Sequence, residues 1–397
     1  MSRIVLLGAT GYTGARTLAA LAGEGADGVL LVGRDGGRLR DLAAASGVEC
    51  AVEVADVSIP GALDGLLCSE DVVVSTVGPF QRLGREVARS AAKAGAVYLD
   101  STGEPPFIEW MFRSLGPVAV DAGALLMPAF GYDFVPGHVA AAVALDGAGP
   151  AAVAVEIGYF LAPGLPGTSG IERIPTLRQF LDLTTPGTRA SLTGVVAEAS
   201  FAFRRAAADP YGLVRVGSGA QLLRFEIAGT ERTAMTIGGS EHFGLPDVYR
   251  QLERVDVGLG WFGRVTPVIQ RIASVGKGVL RSEVAVSATQ WLADRLPWQS
   301  RMPSLAGRSV VAARASDAQG AVLASTVLEG PEPYEFTARL LAAAATSFAN
   351  QPPSAVGVHG PLAGAGRAML ARLTERAGLA SVGPLISSPE NSAGSPR

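Results

Sequence analysis

Cysteine is nearly missing: Cys50 and Cys68 are the only two in 397 residues. Two thiols build no disulfide framework, and their spacing fits no metal site, so they read as ordinary thiols of a reducing compartment. Histidine is equally sparse, at three residues, and no His/Cys/Asp/Glu spacing suggests a metal. Charged residues make up only 17%, the formal net charge is −3, and no basic run stands out. That balance excludes nucleic acid as an expected partner. No stretch of about 18 uncharged apolar residues occurs, so no membrane span is expected. The opening apolar run Ile4-Val5-Leu6-Leu7 stops at Gly8 and is too short for a signal-peptide core, so the expected location is cytoplasmic. Segment 261–280 comes nearest to a membrane-active stretch but carries Arg264, Arg271 and Lys277. A core-facing amphipathic helix is expected there rather than a membrane-surface one.

Hydrophobic residues amount to 48% and glycine to 50 residues. The apolar share is largely Ala, Val and Leu, which suits packed α/β layers and equally an apolar cleft or the subunit interface of a homo-oligomer. At ~150 residues per domain, the length predicts two or three domains.

Residues 1–130 alternate between short β-branched runs (4–7, 29–32, 48–54, 72–77, 97–99, 124–127) and helical stretches (to about 21, then 38–45, 83–94 and 106–118). Such alternation predicts right-handed βαβ units and a doubly wound parallel sheet, a Rossmann domain in an α/β protein. The texture changes afterwards. Runs at 153–161, 222–227 and 233–238, and a hairpin signal at 309–315 and 321–328 around Asp317-Ala318-Gln319-Gly320, predict a second α+β domain over 131–350 with a mostly antiparallel sheet, serving substrate or oligomerisation. The Gly/Pro-rich loop 163–170 is long enough to be a lid. Helices are expected at 334–349 and 366–377, with 351–383 packing back on the first domain. The Ser/Pro-rich tail 384–397 is expected to be disordered.

Gly8-Ala9-Thr10-Gly11-Tyr12-Thr13-Gly14 follows the first strand and opens the first helix. Glycines let the backbone turn tightly and approach a diphosphate, and the helix start offers unpaired amides with about half a positive charge. Twenty residues on, the second strand ends at Gly33-Arg34, where a guanidinium suits a ribose 2′-phosphate. NADP(H) is therefore expected in preference to NAD(H), with Asp35 either capping the next helix or competing for the ribose. Asp56, after the third strand, is placed for the adenine edge or is a loop carboxylate. Val77-Gly78-Pro79, after the fourth strand, would let the backbone pass close to the nicotinamide ribose.

Several blocks together resemble the saccharopine dehydrogenase-like oxidoreductases. They are the 8–14 turn, Gly33-Arg34, Val77-Gly78-Pro79-Phe80 with Gly84, Tyr98-Leu99-Asp100-Ser101-Thr102-Gly103-Glu104, Phe130-Gly131-Tyr132-Asp133-Phe134-Val135-Pro136 and Leu259-Gly260-Trp261-Phe262-Gly263. Within that group the chain is most similar to the bacterial branch with the trans-acting enoyl reductases of lipid and polyketide assembly. The resemblance implies a Rossmann domain joined to a larger α/β domain, and nicotinamide-dependent redox chemistry.

Hydride transfer needs the acceptor carbon held against the nicotinamide, and often a proton donor. Tyr132, Asp133 and His138 follow the strand at 124–127, near the expected domain junction, and are the candidate donors. Each also has a structural alternative: Tyr132 as an aromatic wall, Asp133 as a helix cap, His138 as a residue satisfied by a neighbouring backbone group. Asp100 and Glu104 form a second carboxylate pair, read either as acid/base partners or with Glu104 binding backbone at the next helix start. His242 and His359 read as surface or core residues. The expected function is NADPH-dependent reduction of a small-molecule or carrier-bound acyl substrate, an enoyl C=C in an apolar or polyketide-like chain. The alternatives are an imine or ketone reductase, an amine dehydrogenase, or a non-catalytic NADP(H)-binding scaffold.

Overall fold

The computed structural model describes residues 2–163, 176, 199–263, 266–275 and 307–383. The tail 384–397 and, but for Pro163, the expected lid at 163–170 lie outside these residues, as do 264–265 and 276–280 of segment 261–280.

Strands β1 (Ile4–Leu7), β2 (Val29–Gly33), β3 (Cys50–Val54), β4 (Val72–Ser75), β5 (Val97–Asp100) and β6 (Leu125–Met127) run parallel in the order β6-β5-β4-β1-β2-β3. The helices between them are α1 (Tyr12–Gly23), α2 (Gly36–Ala45), α3 (Arg85–Ala94) and α4 (Pro105–Ala122). Strand order reverses between β1 and β4, which is the switch point where ligands of such sheets bind. Strands β1, β2 and β4 are aliphatic because both faces are covered, whereas the edge strand β3 is largely exposed and carries Glu53. In β1, Ile4 and Leu6 join one core and Val5 and Leu7 the other; the second core is filled by Val87 and Ala91 of α3 and Phe107 and Met111 of α4.

After α5 (Val135–Ala148) the chain builds a mixed sheet from β7 (Ala154–Pro163), β8 (Ala199–Arg204), β9 (Leu213–Gly217), β10 (Leu222–Ile227), β11 (Thr230–Ile237), β12 (Arg254–Leu259), β13 (Gly307–Ser316) and β14 (Val322–Gly330). Every pairing in it is antiparallel except β7 with β12. The fold is thus α/β, with a doubly wound parallel sheet and a second, mostly antiparallel one. The hairpin β13–β14 is pinned at its turn by Asp317, whose carboxylate accepts the amides of Gln319 and Ala321. Two further helices, α6 (Glu241–Val248) and α7 (Thr266–Val275), flank this sheet's strands. Helix α7 occupies part of the segment read as amphipathic.

The C-terminal part ties the two sheets together. Helix α8 (Pro333–Asn350) packs lengthwise on α1 and touches β1, β4 and β5. Strand β15 (Gly357–Val358) adds to the parallel sheet beside β6, and after α9 (Pro361–Gly364) and α10 (Arg367–Arg376), β16 (Ala380–Gly383) adds to the antiparallel sheet beside β14. Among the described residues no helix is long and apolar enough to cross a membrane.

Candidate active site

The turn after β1 is built on close approach. Gly8 has φ +89°, which favours glycine, and a Cβ there would stand 2.6 Å from Thr76 Oγ1. A Cβ on Gly14 would meet the Gly8 carbonyl oxygen at 2.1 Å, so only glycine lets α1 start this close to β1. The Gly11 amide donates to the Gly8 carbonyl at 2.9 Å, and no side chain caps α1. Its first turn, Tyr12, Thr13 and Gly14, therefore presents amides toward the strand ends. The cradle that a Cβ would fill and the uncapped helix start fit a dinucleotide diphosphate.

A cleft opens at these strand ends. Gly8, Thr10, Gly33, Arg34, Asp56, Val77 and Gly78 all line it, with Leu39, Val57 and Leu83 supplying apolar walls. Asp35 also lines it, but its carboxylate caps α2 by accepting the Arg38 amide at 3.1 Å. Arg34 is exposed. Asp56 accepts from the amide and hydroxyl of Ser58 at 2.9 and 2.7 Å, and these bonds, aided by the Arg34 charge, hold its carboxyl below the usual range. Pro79 starts the turn Phe80–Gly84 and receives the Leu83 amide on its carbonyl.

Sequence reasoning missed Arg16 and Tyr334. The Arg16 guanidinium lies 3.7 Å over the Tyr12 ring, and Tyr334 of α8 meets the same ring edge-on at 5.1 Å. The i,i+4 spacing of Tyr12 and Arg16 was visible; Tyr334 comes from more than three hundred residues away and carried no local signal.

Asp100 and Glu104 are each taken up by backbone. Asp100 accepts the amides of Thr102 and Ala129, both at 2.9 Å, and burial pushes its carboxyl up to about 7. Glu104 accepts the amides of Phe80 and Gln81 at 3.0 and 2.9 Å, so it caps the turn before α3 rather than the helix that follows it. Both carboxyls serve to fix loops at the strand ends.

Tyr132 and Asp133 lie in the turn between β6 and α5 and His138 in the first turn of α5; none of the three lines the cleft. Tyr132 is buried, donates to the Phe160 carbonyl at 3.1 Å and packs among Tyr159, Trp261 and Phe336. His138 is buried with Nε2 3.1 Å from Ser240 Oγ, and burial lowers its imidazole to about 3, so it is neutral near pH 7. Asp133 stands beside Gly103, where a Cβ would come within 3.0 Å of Oδ2; its Oδ1 is enclosed without a hydrogen-bond partner, and burial pushes the carboxyl up to about 7. His242 is buried, accepts the Gly239 amide on Nδ1 and is lowered to about 4, again by burial. His359 rests against the Val356 carbonyl. Glu241 was passed over in the sequence, although it is fully buried here. The Tyr159 hydroxyl lies 2.7 Å from its Oε1, and burial pushes its carboxyl up to about 8. Among the described residues no cluster of three or more His, Cys, Asp or Glu is placed to hold a metal.

A glycine turn between a first parallel strand and an uncapped helix, opening on a cleft at the switch point, defines a dinucleotide-binding Rossmann fold, here joined to a mostly antiparallel sheet. No family model matches the chain. It is 37% identical over 137 residues to the trans-acting enoyl reductase of Mycobacterium tuberculosis, covering 34% of this chain and 33% of that one. It is 35% identical over 155 residues to the trans-acting enoyl reductase of Mycobacterium ulcerans, covering 37% of each. The similarity thus spans about a third of the length of these curated relatives. Saccharopine dehydrogenase (L-Glu forming) from Saccharomyces cerevisiae shares the fold, with a TM-score of 0.58 over 94% of this chain and 96% of that one at 16% identity. Both groups that the sequence blocks resemble are therefore found again, one by sequence and one by fold.

Proposed function

We propose that this protein is an NADPH-dependent reductase of an apolar, acyl or polyketide-like substrate, and that the bond reduced is a C=C conjugated to a carbonyl. The observation that carries the cofactor half is the cleft itself: a glycine cradle and uncapped helix start, with Arg34 exposed at its rim and Asp35 beside it capping α2 through Oδ1. With the competing carboxylate occupied, a guanidinium at the end of β2 favours a 2′-phosphate over a free ribose hydroxyl. The reaction class is taken from the likeness to the mycobacterial enoyl reductases. The amides of Tyr12, Thr13 and Gly14 hold the diphosphate, Arg34 the 2′-phosphate, and Gly78 and Pro79 flank the nicotinamide ribose. When bound, the reduced nicotinamide supplies a hydride to the carbon β to the carbonyl.

The chain must then deliver one proton to the α-carbon. Tyr132 spends its hydrogen on Phe160, and His138 is neutral and sealed against Ser240. Asp133 is the remaining candidate. Its carboxyl has an unpartnered oxygen and is raised to about 7, so it carries a proton to give near neutral pH and is left as a carboxylate that solvent reprotonates. The test is oxidation of NADPH in the presence of α,β-unsaturated acyl thioesters, ketones and imines, compared with the Asp133→Asn variant. The expected result is turnover with the unsaturated thioesters alone, falling as pH rises through about 7 and lost in the variant by ~100-fold or more, the scale of general acid catalysis. Turnover confined to imines, or an unimpaired variant, would overturn it.

A further inference from the structure

The Tyr159 hydroxyl has three polar neighbours at hydrogen-bond distance. The Gly137 amide is 2.8 Å away, the Phe134 carbonyl oxygen 2.8 Å, and Glu241 Oε1 2.7 Å. A phenol has one hydrogen to give and two lone pairs to receive with. The amide can only donate, and the carbonyl can only accept. The single phenolic hydrogen therefore belongs to Phe134, one lone pair takes the Gly137 amide, and the other faces Glu241. That last contact is attractive only if the hydrogen lies on the carboxyl. Were Glu241 ionised, the phenol would have to turn its hydrogen to it and leave the Tyr159 and Phe134 oxygens 2.8 Å apart with no hydrogen between them.

The surroundings agree with this count. Glu241 is 0% exposed, and its second oxygen, Oε2, is enclosed without a hydrogen-bond partner, beside Gly239 and the Phe134 ring. Beyond Tyr159, a carboxylate in that position would have only the Glu241 amide itself to offset the burial of its charge, whereas a carboxylic acid buries none. Gly137 and Gly239 are both obligatory: a Cβ on either would stand 2.4 Å from a Glu241 oxygen. The fold has closed around this side chain.

We propose that Glu241 is a neutral carboxylic acid whose hydrogen, given to Tyr159, locks the Phe134 carbonyl and so positions the neighbouring Asp133 carboxyl. Phe134 is held at both ends, its amide donating to the Ala129 carbonyl at 3.0 Å and its carbonyl receiving Tyr159. Asp133 is thereby presented to Gly103 at the end of β5. Glu241 is a positioning residue, acting through Tyr159 and Phe134. Its functional meaning rests on the reading of Asp133 as the proton donor; its protonation state does not.

The titratable groups around Glu241 come from several elements. Tyr159 on β7 is pushed well above its ordinary value by burial and stays neutral. His138 on α5 and His242 on α6 are neutral above about 4, and the Arg204–Asp256 ion pair stands beyond His242. Asp133 in the turn before α5 is raised by burial, as Glu241 is, and the two carboxyls repel when both are charged. Near and above neutral pH, then, Asp133 and Glu241 are the groups of this set that change charge. Both are raised in the folded state, so the native chain holds protons that the unfolded chain has lost. Stability from these groups is complete below the ordinary carboxyl range and is lost as pH rises through about 7 and about 8.

The test uses the full chain without cofactor. Thermal unfolding is followed from about pH 6 to about pH 9, and infrared difference spectra are recorded over the same range, for wild type, Glu241→Gln and Asp133→Asn. A glutamine amide can donate to Tyr159 without a charge. Glu241→Gln is expected to fold, to lose one protonated-carboxyl band and to show a shallower fall in Tm toward high pH, with Asp133→Asn reducing the earlier part of the fall, near pH 7, to which Asp100 also contributes. A Glu241→Gln profile parallel to wild type, an unchanged carboxyl band, or a variant that fails to fold at neutral pH would each overturn the proposal. Failure of the enoyl-reductase reading would show as absent NADPH turnover and would leave these measurements untouched.

Discussion

At the strand-end cleft, polar groups stand open: Thr10 and Arg34 are exposed, and the first turn of α1 has no side-chain cap. At the turn between β6 and α5, Tyr132, His138, Tyr159 and Glu241 are all within 2% of full burial. The two regions handle charge in opposite ways. The cleft keeps its guanidinium in water, where it is cheap to hold and ready for an anion. The junction removes water, so its acids hold their protons to higher pH and its histidines stay neutral. On the function proposed above, the exposed guanidinium would serve the cofactor and the Asp133 carboxyl the substrate.

The contrast can be broken most severely at Gly14. A Cβ there meets backbone, the Gly8 carbonyl oxygen at 2.1 Å, which cannot swing aside. Gly14→Ala should cost ~1–3 kcal/mol or more, the range for overpacking, and abolish dinucleotide binding; urea unfolding and fluorescence titration would report both. An unchanged unfolding midpoint would mean that the turn is looser than described. Next in size, Arg34→Ala should weaken NADPH by ~1.5–3 kcal/mol, as for a lost hydrogen bond to a charged group, and leave NADH nearly as before. Equal losses for the two dinucleotides would remove the specificity argument. The smallest effect belongs to Asp35, whose carboxylate is committed to the Arg38 amide. Asp35→Ala should cost about 1 kcal/mol of stability, the typical value of an N-cap, without altering the ratio of NADPH to NADH affinity. A swing toward either cofactor would show that Asp35 takes part in ribose recognition.

Much of this was legible from local pattern. The strands β1, β2 and β4 read as unbroken aliphatic runs because the sheet is covered on both faces. The hairpin β13–β14 was readable from its Asp-to-Gly turn. Strands β8, β9 and β12 were not identified, nor were β15 and β16, which hold two and four residues. Strands this short are defined by the neighbour they pair with, and β15 and β16 join two different sheets. The stretch expected as helix begins at 83, whereas a wider helical turn already starts at Phe80, capped by Glu104 from twenty-four residues on. At the cleft, the glycine turn and Arg34 stood out in the sequence, and both Gly8 and Arg34 line it. Glu241 was passed over because an acid in the first turn of a helix is commonplace, and its partner Tyr159 lies 82 residues earlier.

What the sequence alone determined is the shape of the glycine turn after β1, because a left-handed φ and the exclusion of a Cβ are properties of a single residue and its nearest backbone. What only the tertiary structure decided is which acids keep their protons. Asp100, Asp133 and Glu241 are ordinary carboxyls in the sequence; their ionisation depends on how much water the packed chain removes from around them, and on which distant groups it brings within hydrogen-bond reach.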